Sequence, residues 1–101
     1  MSRMTNLTRP VTRTVTVTVA LTAVQGPDVD VPAGVKISVR AHPDNTGIIH
    51  VGDTAATSLS TSSSSNPLAA DQGQSYQLQN MNQLWFDATV SGEKVLLTVE
   101  L

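Results

Sequence analysis

The sequence predicts an all-β chain: an antiparallel β-sandwich or jelly-roll-like fold of six to eight short strands, preceded by an extended N-terminal arm. Three observations carry this. Residues 13–24 alternate with a period of two, with Val15, Val17, Val19, Leu21 and Ala23 on one side and Thr14, Thr16, Thr18, Ala20 and Thr22 on the other. Only a strand sends such alternate residues to opposite faces. Turn-forming clusters separate short apolar runs at 25–28, 42–47 and 91–92. No segment carries an apolar stripe of helical period.

Residues 1–12 read as the arm: Pro10 and the scattered Thr, Asn and Arg give no helical period, and Met4 and Leu7 are its apolar anchors. The first strand covers 13–24. A Gln-Gly-Pro-Asp turn follows at 25–28, and Val29 and Val31 alternate with acids until Pro32 and Gly34. The second strand, 34–41, points Val35, Ile37, Val39 and Ala41 inward and Lys36, Ser38 and Arg40 outward. His42-Pro-Asp-Asn-Thr-Gly47 turns into a third strand at 48–51. Residues 53–74, with a serine run at 62–65, are too polar to bury and form a surface loop, with a short strand near 55–59. A fourth strand covers 74–79.

The last two strands register by arithmetic if Ser91-Gly92 is a two-residue hairpin turn. Val90 then faces Glu93, Ala88 faces Val95, Phe86 faces Leu97 and Leu84 faces Val99. A one-residue slip would break the inward phase. The same register sets Trp85 opposite Thr98 and Asp87 opposite Leu96, making Trp85 and Leu96 diagonal neighbours on the outer face. The expected core is Val15, Val17, Val19, Leu21, Val35, Ile37, Val39, Leu84, Phe86, Ala88, Val90, Val95, Leu97 and Val99. With one Phe, one Tyr and one Trp this core is light, and association would add stability.

A chain of 101 residues supports one domain, here 13–101. Charged residues make up 14%, below the usual value of about 25%. A polar but uncharged surface is cheap to desolvate and suits broad protein contacts; it also suits an ordinary extracellular β domain. The net charge is −2 with a pI near 5.4, which argues against a nucleic-acid partner. Arg3, Arg9 and Arg13 give the first thirteen residues +3, while Lys36, Arg40 and Lys94 against all eight acids leave the body at −5. A basic arm on an acidic body can dock on an acidic neighbour, including another copy, or be a solvated tail. The absence of cysteine excludes disulfides, thiolate zinc sites and cysteine nucleophiles. No membrane span and no signal segment is legible, so synthesis in a cytoplasm is expected, with no membrane partner.

The sequence offers little chemistry. The spacing of His42, Asp44, His50 and Asp53 matches no established metal site, and polar turns account for them. Asp87 is a lone carboxylate, and the serine run contains no nucleophile motif. Neither catalysis nor a cofactor is expected. Arg3, Met4, Leu7 and Arg9 of the arm, with Trp85 and Leu96, are the expected partner-binding residues. Trp85 falls out of phase with the core, where a large aromatic is either a sheet-packing residue or an interface anchor.

Three stretches together resemble a known pattern: His42-Pro-Asp-Asn-Thr-Gly-Ile-Ile-His-Val-Gly-Asp53, Asn66-Pro-Leu-Ala-Ala-Asp-Gln-Gly-Gln-Ser-Tyr-Gln-Leu78, and Leu84-Trp-Phe-Asp-Ala-Thr-Val-Ser-Gly-Glu-Lys-Val95. Their order resembles small virion proteins of tailed bacteriophages, including capsid decoration (cement) proteins. The resemblance covers about 42–100, and the serine-rich insert at 58–66 departs from it. It implies a β-sandwich on the outside of an icosahedral head, acting as a homotrimer that bridges subunits of the major capsid protein. The alternatives are a tail, fibre or head–tail accessory domain, and a glycan or host-surface binding module.

Overall fold

The computed structural model describes residues 9–101. Eight strands form two four-stranded sheets: β1 (Pro10–Val17), β2 (Val24–Gln25), β3 (Ile37–Ala41), β4 (Ile49–Gly52), β5 (Asn66–Leu68), β6 (Gly73–Tyr76), β7 (Trp85–Ala88) and β8 (Glu93–Glu100). One sheet has the order β1-β8-β3-β6 and the other β2-β7-β4-β5, and every pairing is antiparallel. The strands pair first with last: β1 with β8, β2 with β7, β3 with β6 and β4 with β5. This is a long two-stranded ribbon rolled on itself, the jelly roll, closed by β3–β8 and β4–β7.

The core lies between the sheets, where alternation sends every second side chain inward. Ile37, Val39 and Ala41 from β3 meet Phe86 and Ala88 from β7, with Val95, Leu97 and Val99 from β8. Ile49, Val51, Leu68, Met81 and Leu84 complete it. Away from the sheets, Asn80 ties two segments together. Its Oδ1 accepts the amides of Val29 and Asn82, and its Nδ2 donates to Asp28 and Asp30.

Four expectations are corrected. The first strand begins at Pro10 and ends at Val17, because its partner β8 begins opposite, at Glu93. The chain must then cross to the other sheet to become β2, and 18–23 turns over the edge. Val19 and Leu21 therefore leave the core and are each 55% exposed. Residues 10–12, expected in the arm, belong to β1.

The second correction is the closing hairpin. β7 and β8 lie in different sheets, so Ser91-Gly92 closes an arch between sheets, with Gly92 at a φ of 86°. The inward phase survives, because facing sheets and paired strands demand the same alternation. The cross-strand partners do not. Trp85 lies between Gln25 and Gly52, Asp87 opposite His50, and Leu96 between Thr14 and Arg40.

Third, Val90 sits on the outside of the arch, 43% exposed, and Val35 is half-buried in the turn before β3. Fourth, the strand expected near 55–59 is a single helical turn, α1 (Ala55–Ser58). Thr54 caps it through the amide of Thr57, whose hydroxyl returns to the amide of Thr54. Ser58 of α1 is buried against Gly52, where the helical backbone leaves no room for a Cβ.

Candidate functional site

The partner-binding residues expected from sequence do not come together. Arg3, Met4 and Leu7 lie outside the described residues. Arg9 extends β1 at the end where Leu101 lies, and the two exchange both backbone hydrogen bonds, each 3.0 Å. Trp85 is half-buried on the outer face of the β2-β7-β4-β5 sheet. Leu96 is on the outer face of the other sheet, in a shallow depression with Thr12, Ser38, Arg40 and Thr98. The whole sandwich separates Trp85 from Leu96.

A different group of residues forms a surface. The connections 18–23, 45–48 and 89–92 gather at one corner of the sandwich. Gly92 donates to the carbonyl of Val17 at 2.8 Å, Ala20 donates to Ser91 Oγ at 2.9 Å, and Thr89 donates to the carbonyl of Ile48 at 3.0 Å. Val19, Leu21 and Val90 project from this corner, three of the four large apolar side chains that are exposed among the described residues. Residues 18–23, 45–48 and 89–92 themselves carry no charged side chain, while the exposed Asp44 precedes the second of these segments and Lys94, bonded through its backbone to Asn45, follows the third.

Two buried carboxylates hold the corner from beneath. Asp87 is fully buried on the outer face of β7. Its Oδ1 accepts the amide of Leu21 at 2.8 Å, and its Oδ2 accepts the amide of Ser60 at 2.7 Å. Glu93 opens β8 and is 7% exposed; its Oε1 accepts the amides of Thr46 and Gly47 and the Thr46 hydroxyl. Charge-assisted bonds of this kind are stronger than neutral ones and fix loop position. A Cβ at Gly47 would collide with the side chains of Thr89 and Val90, so glycine lets this connection pack under the arch.

Leu21 has a φ of 66°, a left-handed conformation rare for a non-glycine residue. It persists because both flanking constraints are strong: the amide bond to Asp87 and the turn bond from Thr22 to the carbonyl of Val19, 3.2 Å. Backbone strain of this sort is retained where the surroundings over-determine it. The loop is thus held in one shape that keeps Leu21 and Val19 pointing into solvent.

His50 is the register partner of Asp87, under the segment 53–65. Its Nδ1 lies 2.8 Å from Ser65 Oγ. Burial lowers its pKa, and the charge of Asp87 opposes that shift. Both oxygens of Asp87 are engaged by amides, so His50 and Asp87 act as fasteners of this segment. Among the described residues no group of His, Cys, Asp and Glu is arranged to hold a metal.

A second concavity of about 400 Å³ opens beyond the β4 end, lined by Val51, Tyr76, Leu78 and Leu84 with Asp53, Asn66 and Gln83 around them. Its tyrosine hydroxyl accepts from Asn66 Nδ2 at 2.9 Å.

Sequence reasoning missed Val19, Leu21 and Val90 by placing them in the core. One signal was available. A twelve-residue strand exceeds the usual length of about five or six, so a break within 13–24 was to be expected.

Fold and surface together define a jelly-roll domain with three exposed apolar side chains gathered at one corner. Comparison with protein families, curated proteins and solved structures finds no match for this chain.

Proposed function

We propose that this chain is a structural assembly protein, and more specifically a capsid decoration protein that docks on the major capsid protein on the outside of a phage head. The observation that carries the reading is the corner of Val19, Leu21 and Val90, three exposed apolar side chains on loops held by hydrogen bonds to Asp87 and Ser91. The three anchors themselves are apolar, so burying them desolvates no ion. The loops are already ordered, so little conformational entropy is lost on binding. Three aliphatic anchors make a weak contact alone, and many copies on one shell add up through avidity.

Two further features support the reading. Jelly rolls serve in viral capsid proteins and in lectins alike, so the fold admits the role without assigning it. The arginine-bearing arm enters β1 at the end opposite the corner, about 24 Å away along eight residues of strand. An arm at one end and an apolar corner at the other allow one copy to touch two subunits.

The test is co-sedimentation of the purified chain with capsids assembled from the major capsid protein of the same genome. Saturable, stoichiometric binding that Leu21→Asp or Val90→Asp abolishes is the expected result. Absence of binding overturns the reading. The concavity around Tyr76 favours a second reading, a glycan-binding module, since it sets one aromatic ring, packed against the core on one side, beside the polar side chains of Asp53, Asn66 and Gln83. Retention on a glycan array, lost in Tyr76→Ala, would establish that reading instead.

A further inference from the structure

We infer that the outer edge of β1 is a self-association edge, on which a second copy of this chain lays its own β1 antiparallel about a two-fold axis. The two β1-β8-β3-β6 sheets then join into one sheet of eight strands.

The inference starts from where the backbone groups of β1 point. Arg9 and Leu101 exchange both of their hydrogen bonds. In an antiparallel ladder such pairs recur every second residue. The register Val11 with Val99, Arg13 with Leu97 and Val15 with Val95 therefore uses the odd residues of β1 toward β8. The N–H and C=O groups of Thr12, Thr14 and Thr16 face away from β8. Among the described residues the one group that meets them is the Arg13 side chain, whose Nη1 donates to the carbonyl of Thr12 at 3.2 Å.

The other three sheet edges differ. β2 has two residues, β5 three with Pro67 among them, and β6 four. Short or proline-bearing edges resist strand addition. β1 has eight residues, with its proline confined to the first position, Pro10, where it interrupts no later outward group, and one charged side chain, Arg13.

A second β1 fits this edge because the outward row is self-complementary. Threonine follows threonine at 12, 14 and 16, so an antiparallel copy offers matching donors, acceptors and side chains. Threonine pairs across strands are favourable, and like charges directly opposite are not. Arg13 therefore selects the register. Pairing Thr12 with Thr14 would set the two Arg13 side chains face to face, and pairing Thr14 with Thr14 would leave them two residues apart, about 7 Å of strand. Pairing Thr14 with Thr16 of the second copy puts Val15 on the two-fold axis and separates the two Arg13 by four residues, about 13 Å of strand. That distance exceeds the screening length of about 8 Å at physiological salt.

The prediction differs from the homotrimer that the phage resemblance implies, and it stands on the edge geometry alone. The experiment uses the full chain, with sedimentation equilibrium over a range of concentrations and amide hydrogen exchange at each. A dimer is expected, with the Thr14 and Thr16 amides slowing as it forms, while Arg13 and Val15 are protected throughout. Thr14→Pro deletes an N–H that the β8 ladder does not use, and should weaken the dimer at least tenfold. Thr14→Lys with Thr16→Lys keeps every backbone group, sets like charges opposite one another across the axis, and should give the same loss with the sheet intact. A monomer at all concentrations overturns the inference. So do a trimer, a dimer indifferent to the lysine pair, and outward amides already protected in a monomer, which would mean that the chain covers its own edge.

Discussion

The Asp87 carboxylate and the Leu21 amide meet at 2.8 Å, a fully buried acid holding a residue that is half in solvent. The bond joins the connection between β1 and β2 to the centre of β7. The other carboxylate oxygen takes the amide of Ser60, so one side chain positions both the apolar corner and the segment that folds over the sheet. Asp87→Ala leaves both amides without this acceptor. A buried donor left unmet costs about 1–3 kcal/mol; these two amides are part-buried, so a loss at the lower end of the summed range, on the order of 2–3 kcal/mol, is expected in urea unfolding. Asp87→Asn keeps one acceptor oxygen and should fall about midway.

Leu21 separates stability from binding. Its left-handed backbone costs roughly 1–2 kcal/mol for a side chain of this kind, and asparagine tolerates that conformation better. Leu21→Asn should leave the melting temperature unchanged or raise it by a few degrees. The same substitution removes an apolar anchor and should abolish capsid co-sedimentation. A variant that is both less stable and fully competent to bind would return Leu21 to an ordinary packing role.

Gly47 tests whether the corner needs its close packing. A methyl group there meets Thr89, Val90 and the Glu93 carboxylate at once. Forcing extra volume into a packed site costs typically 1–3 kcal/mol. Gly47→Ala should lose about that much in chemical denaturation and shift the Val90 methyl resonances. Gly34, at a φ of 82° with open space around it, should answer to alanine through backbone strain alone, with no change at Val90.

Much of the fold was legible because alternation survives any sandwich topology. Ile37, Val39, Phe86, Val95, Leu97 and Val99 face inward as their spacing demands. Sheet membership was not legible: Ser91-Gly92 turns a hairpin and an arch with the same residues, and both keep Phe86 and Leu97 inside. The corner was hidden for a related reason. Val19 and Leu21 continue the alternation of β1 beyond its end, and nothing local says that β8 has run out of residues to pair with. Asp87 reads as an outward acid by phase and Glu93 shares the inward phase of Val95 and Leu97, but the partners that satisfy these buried carboxylates come from loops distant in sequence: 21 and 60 for Asp87, 46–47 for Glu93.

His50 should make stability depend on pH in the weakly acidic range. Burial under the 53–65 segment lowers its pKa from 6.5, and the charge of Asp87 opposes that shift. As pH falls, the unfolded chain takes up this proton before the folded chain does. The unfolded state then binds more protons, and stability declines with acidification. The contribution is fully present above pH 6.5 and is lost as pH falls from there through the lowered folded value. Thermal unfolding between pH 7.5 and 5 should show a falling midpoint that flattens in His50→Gln, whose amide still reaches the hydroxyl of Ser65. Ser65 Oγ donates its proton to the Ser62 carbonyl, so His50 Nδ1 donates to Ser65 Oγ at 2.8 Å, and the proton taken up on acidification goes to Nε2 and charges an imidazole in desolvated surroundings. Amide exchange within 60–65 should therefore quicken on acidification before the core strands respond. Exchange that rises evenly across the sheet instead would assign the acid sensitivity to global unfolding and leave His50 without that role.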